Sequence, residues 1–317
     1  MEPTPSISVA LASYNGIRYI DEQIESILAQ TLPVSEIVIC DDGSNDGTRE
    51  RLKEWAQRES RIVLQFNEER LGFRNNFFLA ITLCRSPLIA LADQDDIWLP
   101  DKLERLLPYL QTADLACSDL TAIDARGEVI AHSVAEYENR RIEKNPPFTT
   151  LLYTNVVTGC TALFKKELLT DLPYDGERYH DWWLALLASR RGGIAYLNAP
   201  TVLYRQHGEN DTGIRRSLLF RDSLRSFSNR ILRDRKKSKR YSDAEQQRSR
   251  LKGLLAHTIF NEREKREIAR ALDYYQNHLQ SPLHFNTFWI GLRYRREVHG
   301  KLSLAQHLSR TLSDLIG

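Results

Sequence analysis

Residues 86–96 read Ser86-Pro87-Leu88-Ile89-Ala90-Leu91-Ala92-Asp93-Gln94-Asp95-Asp96, an apolar run followed by a polar turn. The apolar half is typical of a strand that is buried on both faces of a sheet. Three carboxylates follow directly, and they cannot all be buried unpaired without a large desolvation cost. We therefore expect the end of this strand to meet water, a cation or a ligand.

The same order of an apolar run and a polar turn occurs three times before this stretch. Predicted strands cover residues 7–12, 36–40 and 62–66, and apolar residues at helical spacing follow each of them. Strands that alternate with helices and are continuously apolar indicate a parallel sheet covered on both faces. The fold class is therefore α/β, and ligands of such sheets bind beyond the carboxyl ends of the strands.

The rest of the first 212 residues has a less regular pattern. It predicts, in chain order, a helix near 102–110, a strand near 113–119, an apolar segment at 156–164, a helix beginning near 181 and a strand at 199–204.

The charge of the chain is unevenly distributed. The 317 residues are 42% hydrophobic, which suffices for one large α/β domain and an appendage. The net charge is +2, yet residues 214–252 contain fourteen Lys or Arg against four Asp or Glu, a net +10, so the remainder carries −8. We expect the acidic and the basic part to have different roles.

Four widely spaced cysteines, Cys40, Cys84, Cys117 and Cys160, lack the paired spacing of a zinc site. They are predicted to be reduced core thiols of a cytosolic protein. We also expect no signal peptide and no membrane-spanning helix, because no apolar stretch reaches the ~20 residues that spanning needs.

Polar residues at the predicted strand ends suit a nucleotide diphosphate. Asp95 and Asp96 could hold a hard divalent cation together with phosphate oxygens, or could form a solvated turn that caps a helix. Asp41 and Asp42 could accept hydrogen bonds from a base or a ribose, or could form an Asx turn. Tyr14, at a third strand end, can lie against a base. The combination favours one nucleotide crevice over separate turns.

Residues 6–110 resemble family 2 glycosyltransferases of the metal-dependent nucleotide-diphospho-sugar transferase fold. The motifs that carry the resemblance are Ser13-Tyr14-Asn15, Asp41-Asp42-Gly43-Ser44 and Asp93-Gln94-Asp95-Asp96. Later motifs are similar to bacterial rhamnosyltransferase-type members, namely Thr158-Gly159-Cys160, His180-Asp181-Trp182-Trp183 and Tyr204-Arg205-Gln206-His207-Gly208. The resemblance covers roughly residues 6–213.

The resemblance implies a role for each matched position. Asp181 would be the catalytic base, and Asp96 and His207 would hold a divalent cation, Mg²⁺ or Mn²⁺. The nucleotide would contact Ala12, Tyr14, Asp42, Arg74 and Asp95, and the acceptor would meet Thr158, Gly159 and Trp182. From the residues alone, Asp181 could also be a helix N-cap, and Arg74 and His207 could be surface residues.

The implied function is an inverting, metal-dependent glycosyltransferase with a Rossmann-like, mostly parallel central sheet and a helical C-terminal region. Residues 1–213 would be the catalytic domain, with 1–110 binding the nucleotide sugar and 111–213 the acceptor, and residues 214–317 the basic helical part. The expected donor is dTDP-L-rhamnose, and the acceptor is a polysaccharide or lipid-linked glycan of the cell surface. The alternatives are a UDP-hexose transferase, or a non-catalytic nucleotide-sugar, glycan-binding or membrane scaffold protein.

The basic segment predicts an amphipathic helix over residues 218–232, with Phe220, Leu224, Phe227 and Ile231 on one face. It could pack on the catalytic domain, or contact anionic lipid at the inner face of the cytoplasmic membrane. Residues 289–296 add a second candidate contact. Nucleic acid is not an expected partner because no recognition module accompanies the charge. The sequence predicts no oligomeric state.

Overall fold

The computed structural model describes residues 5–138, 140, 142, 145–171, 179–208 and 235–280, and for 170–171, 235–244 and 277–280 it describes the backbone alone. The chain divides into two units. The first comprises Met1–Ala135, Ile142–Pro146 and Asn155–Ile214, and the second comprises Glu136–Arg141, Pro147–Thr154 and Arg215–Gly317.

The first unit begins with four parallel strands in the spatial order β3-β2-β1-β4. These strands are β1 (Ile7–Ser13), β2 (Glu36–Asp41), β3 (Ile62–Phe66) and β4 (Leu88–Asp93), and the helices between them are α1 (Ile20–Leu28), α2 (Thr48–Arg58) and α3 (Phe73–Leu83). The register pairs Ser13 with Asp41 and Ala12 with Asp93. The polar residues that follow β1, β2 and β4 therefore leave the same edge of the sheet.

The sheet continues beyond β4 with strands of mixed direction in the order β8-β6-β9-β5, and β7 pairs with β6. These strands are β5 (Ile97–Trp98), β6 (Leu115–Asp124), β7 (Val129–Ala131), β8 (Leu163–Lys165) and β9 (Ile194–Gln206). The α-helices along this part of the chain are α4 (Lys102–Leu106), α5 (Val134–Tyr137), α6 (Phe148–Leu151) and α7 (His180–Ser189), of which α6 belongs to the second unit. Short 3₁₀ helices cover Leu107–Gln111, Gly159–Thr161 and Lys166–Asp171.

Apolar residues on both faces of the sheet form the core of the first unit. All six residues of β2 are buried, and α1 buries Ile20, Ile24 and Ile27 at helical spacing. Each such side chain contributes about 1.5–3 kcal/mol relative to an exposed position. The four cysteines are buried thiols and form no disulfide, as expected. The packed sheet therefore fixes where its polar edge lies.

The elements predicted over the first 100 residues are confirmed, whereas later bounds differ for local reasons. The helix expected near 102–110 changes to a 3₁₀ helix at Leu107, because Pro108 cannot donate an α-helical hydrogen bond. The strand expected at 199–204 runs from Ile194 to Gln206. Its register against β6 shifts around Pro200, and such an irregularity accommodates a proline within a sheet.

The second unit contains two long helices, α8 (Arg235–Ala256) and α9 (Glu262–Gln280), as expected for a helical C-terminal region. Asn261 caps α9: its side-chain oxygen accepts from the Glu264 N–H at 2.9 Å, and the Glu264 carboxylate accepts from the Asn261 N–H at 2.8 Å. Within the part that the structure describes, no helix has the length and apolar character to cross a bilayer. The predicted amphipathic helix at 218–232 and the contact at 289–296 lie outside the described residues.

Candidate active site

The loops that follow β1 and β2 bind each other through side chains. The Asn15 N–H donates to Ser44 Oγ at 2.8 Å, and the Asn45 N–H donates to Asn15 Oδ1 at 3.0 Å. The Gly16 N–H donates to the buried hydroxyl of Thr48 at 2.9 Å. Asn15 has a φ of 48°, a left-handed conformation that asparagine tolerates. The two loops therefore form one preorganised wall.

Asp41 shapes this wall from inside the protein. Its carboxylate is fully buried and accepts from Arg49 Nε at 2.5 Å, from the Ser44 N–H at 3.0 Å and from the Ser44 hydroxyl. Of the two roles that the sequence left open for Asp41, the structure has the Asx turn.

Asp42 faces a cleft and orders the loop before α3. Its carboxylate accepts from the N–H groups of Leu71 at 2.7 Å and Gly72 at 2.8 Å, and from Asn67 Nδ2 at 3.0 Å. An ionised carboxylate has about four lone-pair sites. The three hydrogen bonds therefore leave about one acceptor site, and Arg70 Nε lies 4.0 Å from Asp42 Oδ2.

The arginine on this side of the cleft is Arg70, whereas the sequence predicted Arg74. The Arg70 guanidinium lies 3.8 Å from the ring centroid of Tyr14, and both residues line the cleft. Arg74 lies over the Tyr179 ring at 4.2 Å and is not among the cleft-lining residues of the described chain. The sequence alone does not distinguish Arg70 from Arg74, because the conformation of the loop between β3 and α3 decides which arginine faces the cleft.

Gln94 clamps the end of β4 to the end of β1. Its Oε1 accepts from the Tyr14 N–H at 2.9 Å and from Ser13 Oγ at 3.2 Å, while its Nε2 donates to the Tyr14 carbonyl at 2.9 Å. A Cβ atom at Gly16 would lie 2.2 Å from Gln94 Oε1. The clamp therefore requires glycine at position 16.

Asp95 and His207 form a polar pair in the same cleft. Asp95 Oδ2 and His207 Nε2 are 2.7 Å apart, and the His207 ring stacks on Tyr19 with centroids 5.3 Å apart. A carboxylate oxygen and an imidazole nitrogen are ligand types that a transition-metal cation such as Mn²⁺ accepts. The structure thus brings together two residues that are 112 positions apart in the sequence.

Asp96 lies below the cleft and is completely buried. Its Oδ1 accepts from the Arg205 N–H at 3.0 Å inside the sheet, so Asp96 does not meet water at the end of β4, whereas Asp93 and Asp95 line the cleft. Burial, and then the charges of Asp95 and Asp93, raise the pKa of Asp96 well above its usual value. A carboxylate oxygen of Asp96, one of Asp93 and Cys160 Sγ lie within 4.8 Å of one another, an arrangement that could hold a metal ion. The role of Asp96 as a metal ligand stays a prediction.

Arg205 fixes this corner, and sequence reasoning missed it. Besides its bond to Asp96, its Nε donates to the Asp95 carbonyl at 2.9 Å, and its Nη2 pairs with Glu22 at 2.5 Å. The side chain is 4% exposed, and its guanidinium lies 4.7 Å from the ring centroid of Tyr19. Its position two residues before His207 was the available signal, but an arginine at a strand end is usually solvated.

A buried lysine, Lys102, lies behind the same corner. Its Nζ donates to the Cys160 carbonyl at 2.5 Å and is 3.3 Å from the ring centroid of Trp98. Burial lowers the pKa of Lys102 to about 7. No sequence pattern predicted a buried ammonium group here, because lysine side chains are almost never fully buried.

Asp181 lies at the start of α7 and faces the cleft. Its Oδ1 accepts from the Trp182 N–H at 2.6 Å, and it also receives hydrogen bonds from the Asn155 side chain and the Gly159 backbone. Burial raises the pKa of Asp181 to about 6. The residue before the helix is Tyr179, so the alternative of Asp181 as the N-cap is wrong.

One cleft of about 1010 Å³ collects most of the predicted site. The predicted residues that line it are Ala12, Tyr14, Asp42, Asp95, Thr158, Gly159, Asp181 and His207. Three others, Arg74, Asp96 and Trp182, are not among its lining residues in the described chain. Trp182 was expected to meet the acceptor, but its side chain packs in the core with 8% of its surface exposed.

Comparisons with known proteins identify chains that are similar in sequence or in fold. The chain is 30% identical over 232 residues to an uncharacterized glycosyltransferase of Haemophilus influenzae, covering 68% of this chain and 69% of the relative. It is 30% identical over 220 residues to dTDP-rhamnosyl transferase RfbG of Shigella flexneri, covering 64% and 73%. The crystal structure of S. aureus TarS 1–349 with UDP-GlcNAc matches with a TM-score of 0.56 at 15% identity, covering 98% and 88%, which supports the fold.

The fold is thus an α/β fold similar to that of TarS. Residues 8–172, just over half of the chain, match the family described as Glycosyl transferase family 2. The chain belongs to this family and is a glycosyltransferase, so the expected family, enzyme class and fold class are confirmed.

We predict that Asp181→Asn stabilises the protein at neutral pH. The pKa of Asp181 is about 6 in the folded protein and has an ordinary value of 3.8. Between pH 3.8 and about pH 6, the carboxyl group is therefore protonated to a greater extent in the folded protein than in the unfolded chain. Stability is therefore lost as the pH rises through this window. The substitution should raise the free energy of unfolding by about 1–3 kcal/mol at pH 7.5 and by less at pH 4.5. Urea unfolding at both pH values measures this, and a variant that is less stable at pH 7.5 would contradict it.

Proposed function

We propose that the protein is an inverting glycosyltransferase that depends on a divalent cation and uses a nucleotide diphosphate sugar. One observation carries the proposal. A single cleft is lined by Tyr14 and Asp42, by the hydrogen-bonded pair of Asp95 and His207, and by Asp181. We assign the first two residues to the nucleotide, the pair to a cation and Asp181 to the acceptor hydroxyl. These are the parts that a single-displacement sugar transfer requires.

Asp181 is the proposed general base. Its carboxylate takes the proton of the acceptor hydroxyl while that oxygen forms a bond to the anomeric carbon. The bond between the anomeric carbon and the diphosphate oxygen breaks in the same step, so the configuration inverts. The raised pKa of Asp181, about 6, leaves it mostly ionised at pH 7 and more basic than an ordinary aspartate.

Asp95 and His207 are the proposed cation ligands that face the cleft. The cation supplies charge neutralisation for the departing diphosphate. An imidazole ligand favours Mn²⁺ over Mg²⁺, which prefers oxygen. Arg205 and Glu22 hold the Asp95 turn from behind, so this pair is positioned before any ligand arrives. Asp96 remains the alternative ligand, in a deeper group with Asp93 and Cys160.

The proposed donor is dTDP-L-rhamnose, and the proposed acceptor is a lipid-linked or polysaccharide glycan of the cell surface. The relative named dTDP-rhamnosyl transferase supports the rhamnosyl donor. A UDP-hexose is the second candidate, because uracil and thymine offer the same N3–H to the remaining acceptor site of Asp42.

We predict that turnover fails in Asp181→Asn while the donor still binds. Loss of a general base typically costs about 10²–10⁴-fold in rate. Released nucleotide is measured with dTDP-L-rhamnose, UDP-glucose and UDP-GlcNAc, in the presence of glycan acceptors. The wild-type rate should fall below pH 6, where Asp181 becomes protonated. Near-wild-type turnover of the variant would assign the base to another residue, and no turnover with any donor would favour a non-catalytic binding protein.

We predict that cation-dependent nucleotide binding requires Asp95 and His207 more than Asp96. Calorimetry with UDP and dTDP, in Mn²⁺ and in EDTA, compares Asp95→Asn, His207→Ala and Asp96→Asn. The first two should lose about tenfold or more of the affinity gained with Mn²⁺, because each removes one ligand atom from the cleft. A loss in Asp96→Asn alone would instead assign the cation to the group of Asp93, Asp96 and Cys160.

We also propose that residues 214–252 contact anionic membrane lipid. Each nearby basic residue contributes about 1 kcal/mol at an anionic surface, and salt screens the attraction. The full chain should therefore sediment with anionic vesicles at low salt and less at high salt. Part of this charged segment, from residue 235 onward, belongs to the helix α8.

A matched pair of variants tests the membrane contact. One variant replaces four basic residues of α8 by Gln, namely Lys236, Lys237, Lys239 and Arg240. The other replaces four basic residues of α9 by Gln, namely Arg263, Lys265, Arg266 and Arg270. Lys265 and Arg270 pair with glutamates of their own helix, so the α9 set should contribute little. We expect a loss of about tenfold or more in vesicle partition for the α8 variant. Equal binding to neutral vesicles would contradict the contact.

A further inference from the structure

His180 lines the cleft next to Asp181, yet nothing in the transfer reaction described above uses it. Its ring stacks on Phe77 with centroids 4.1 Å apart and planes 23° apart. The residue is 7% exposed, and Nδ1 is buried without a hydrogen-bond partner in the described chain. Phenylalanine would fill the same space without the desolvation cost of two ring nitrogens. The imidazole therefore calls for a functional explanation.

The surroundings of His180 keep its ring neutral and fixed in place. Burial lowers the pKa of His180 to about 3, so the ring is uncharged at neutral pH. A neutral imidazole has one nitrogen that donates and one that accepts a hydrogen bond. Such a group can recognise a hydroxyl, which also both donates and accepts.

Gly159 packs closely against the other ring nitrogen, Nε2. A Cβ atom at position 159 would lie 2.8 Å from His180 Nε2, so a larger residue would displace the ring or cover this nitrogen. Gly159 also lines the cleft, and its backbone contributes a hydrogen bond to Asp181. The glycine, the histidine and the proposed base thus form one surface at the reacting end of the cleft.

We propose that His180 is a specificity-determining residue that hydrogen-bonds a hydroxyl of the transferred sugar. This inference rests on the proposed function. The sugar must lie between the cation pair, where its diphosphate leaves, and Asp181, which activates the acceptor. His180 stacks on α3, and the loop before α3 is held by Asp42 at the nucleotide end. The imidazole therefore borders the space for the sugar, on the side of Asp181 that is nearer to the nucleotide.

The test compares His180→Phe, which keeps the aromatic stack, with His180→Asn, which keeps a donor and an acceptor. The control is His132→Phe at an exposed position outside the cleft. Calorimetry with Mn²⁺ measures UDP against UDP-glucose and UDP-GlcNAc, and dTDP against dTDP-L-rhamnose. The affinity for a nucleoside diphosphate reports the nucleotide end alone. The difference in affinity between it and the matching nucleotide sugar therefore measures the contribution of the sugar. Thermal unfolding of all variants reports whether the fold is intact.

We expect His180→Phe to bind the nucleoside diphosphates within about twofold of the wild type. Its affinity for the nucleotide sugar should fall about three- to tenfold, the effect of one neutral hydrogen bond. His180→Asn should retain most of that affinity, and His132→Phe all of it. An unchanged sugar contribution in His180→Phe would overturn the proposal.

Two other outcomes are distinguishable. If only the acceptor KM changes in His180→Phe, the partner of His180 is the acceptor, and the assignment to the transferred sugar is overturned. If the wild-type protein binds no nucleoside diphosphate, the proposed function itself fails, and this inference fails with it before any variant is compared.

Discussion

The parallel pairing of β1 with β2 and β4 is the constraint on which the cleft depends. Its register places Ser13 beside Asp41 and Ala12 beside Asp93, so three polar turns leave the sheet at one level. A register shift of one residue would turn the apolar side chains of a strand to the opposite face, and two buried faces oppose that shift. The burial of the strands therefore also sets the position of the carboxylates.

Once the carboxylates are gathered, their mutual repulsion has to be balanced. The protein uses backbone N–H groups and arginine side chains: Asp42 accepts from two N–H groups, the Arg49 guanidinium pairs with Asp41, and Arg205 donates its Nε to the Asp95 carbonyl and its backbone N–H to Asp96. The consequence is a division of labour among similar residues. Asp41 and Asp96 are used to build the turns, which leaves Asp42 and Asp95 facing the cleft.

Sequence patterns predicted the elements of the first 100 residues because continuous apolar strands and helical periodicity are local signals. The strand-end rule also predicted that Asp42 and Asp95 would meet in one cleft, whereas the place of Asp181 was implied by the family resemblance alone. The direction of a side chain within a turn is not local. Whether Arg70 or Arg74 faces inward depends on a loop, and whether Asp96 is buried depends on Arg205 of β9, which is 109 positions further along the chain.

Burial acts in opposite directions on the two titratable residues that open α7. It raises the pKa of Asp181 to about 6 and lowers that of His180 to about 3, because in both cases the charged form loses hydration. Near pH 7 the result is an ionised carboxylate beside an uncharged imidazole. A charged imidazole next to Asp181 would lower the basicity of that carboxylate. The same burial therefore keeps the base effective and leaves its neighbour able to form hydrogen bonds without competing for the proton.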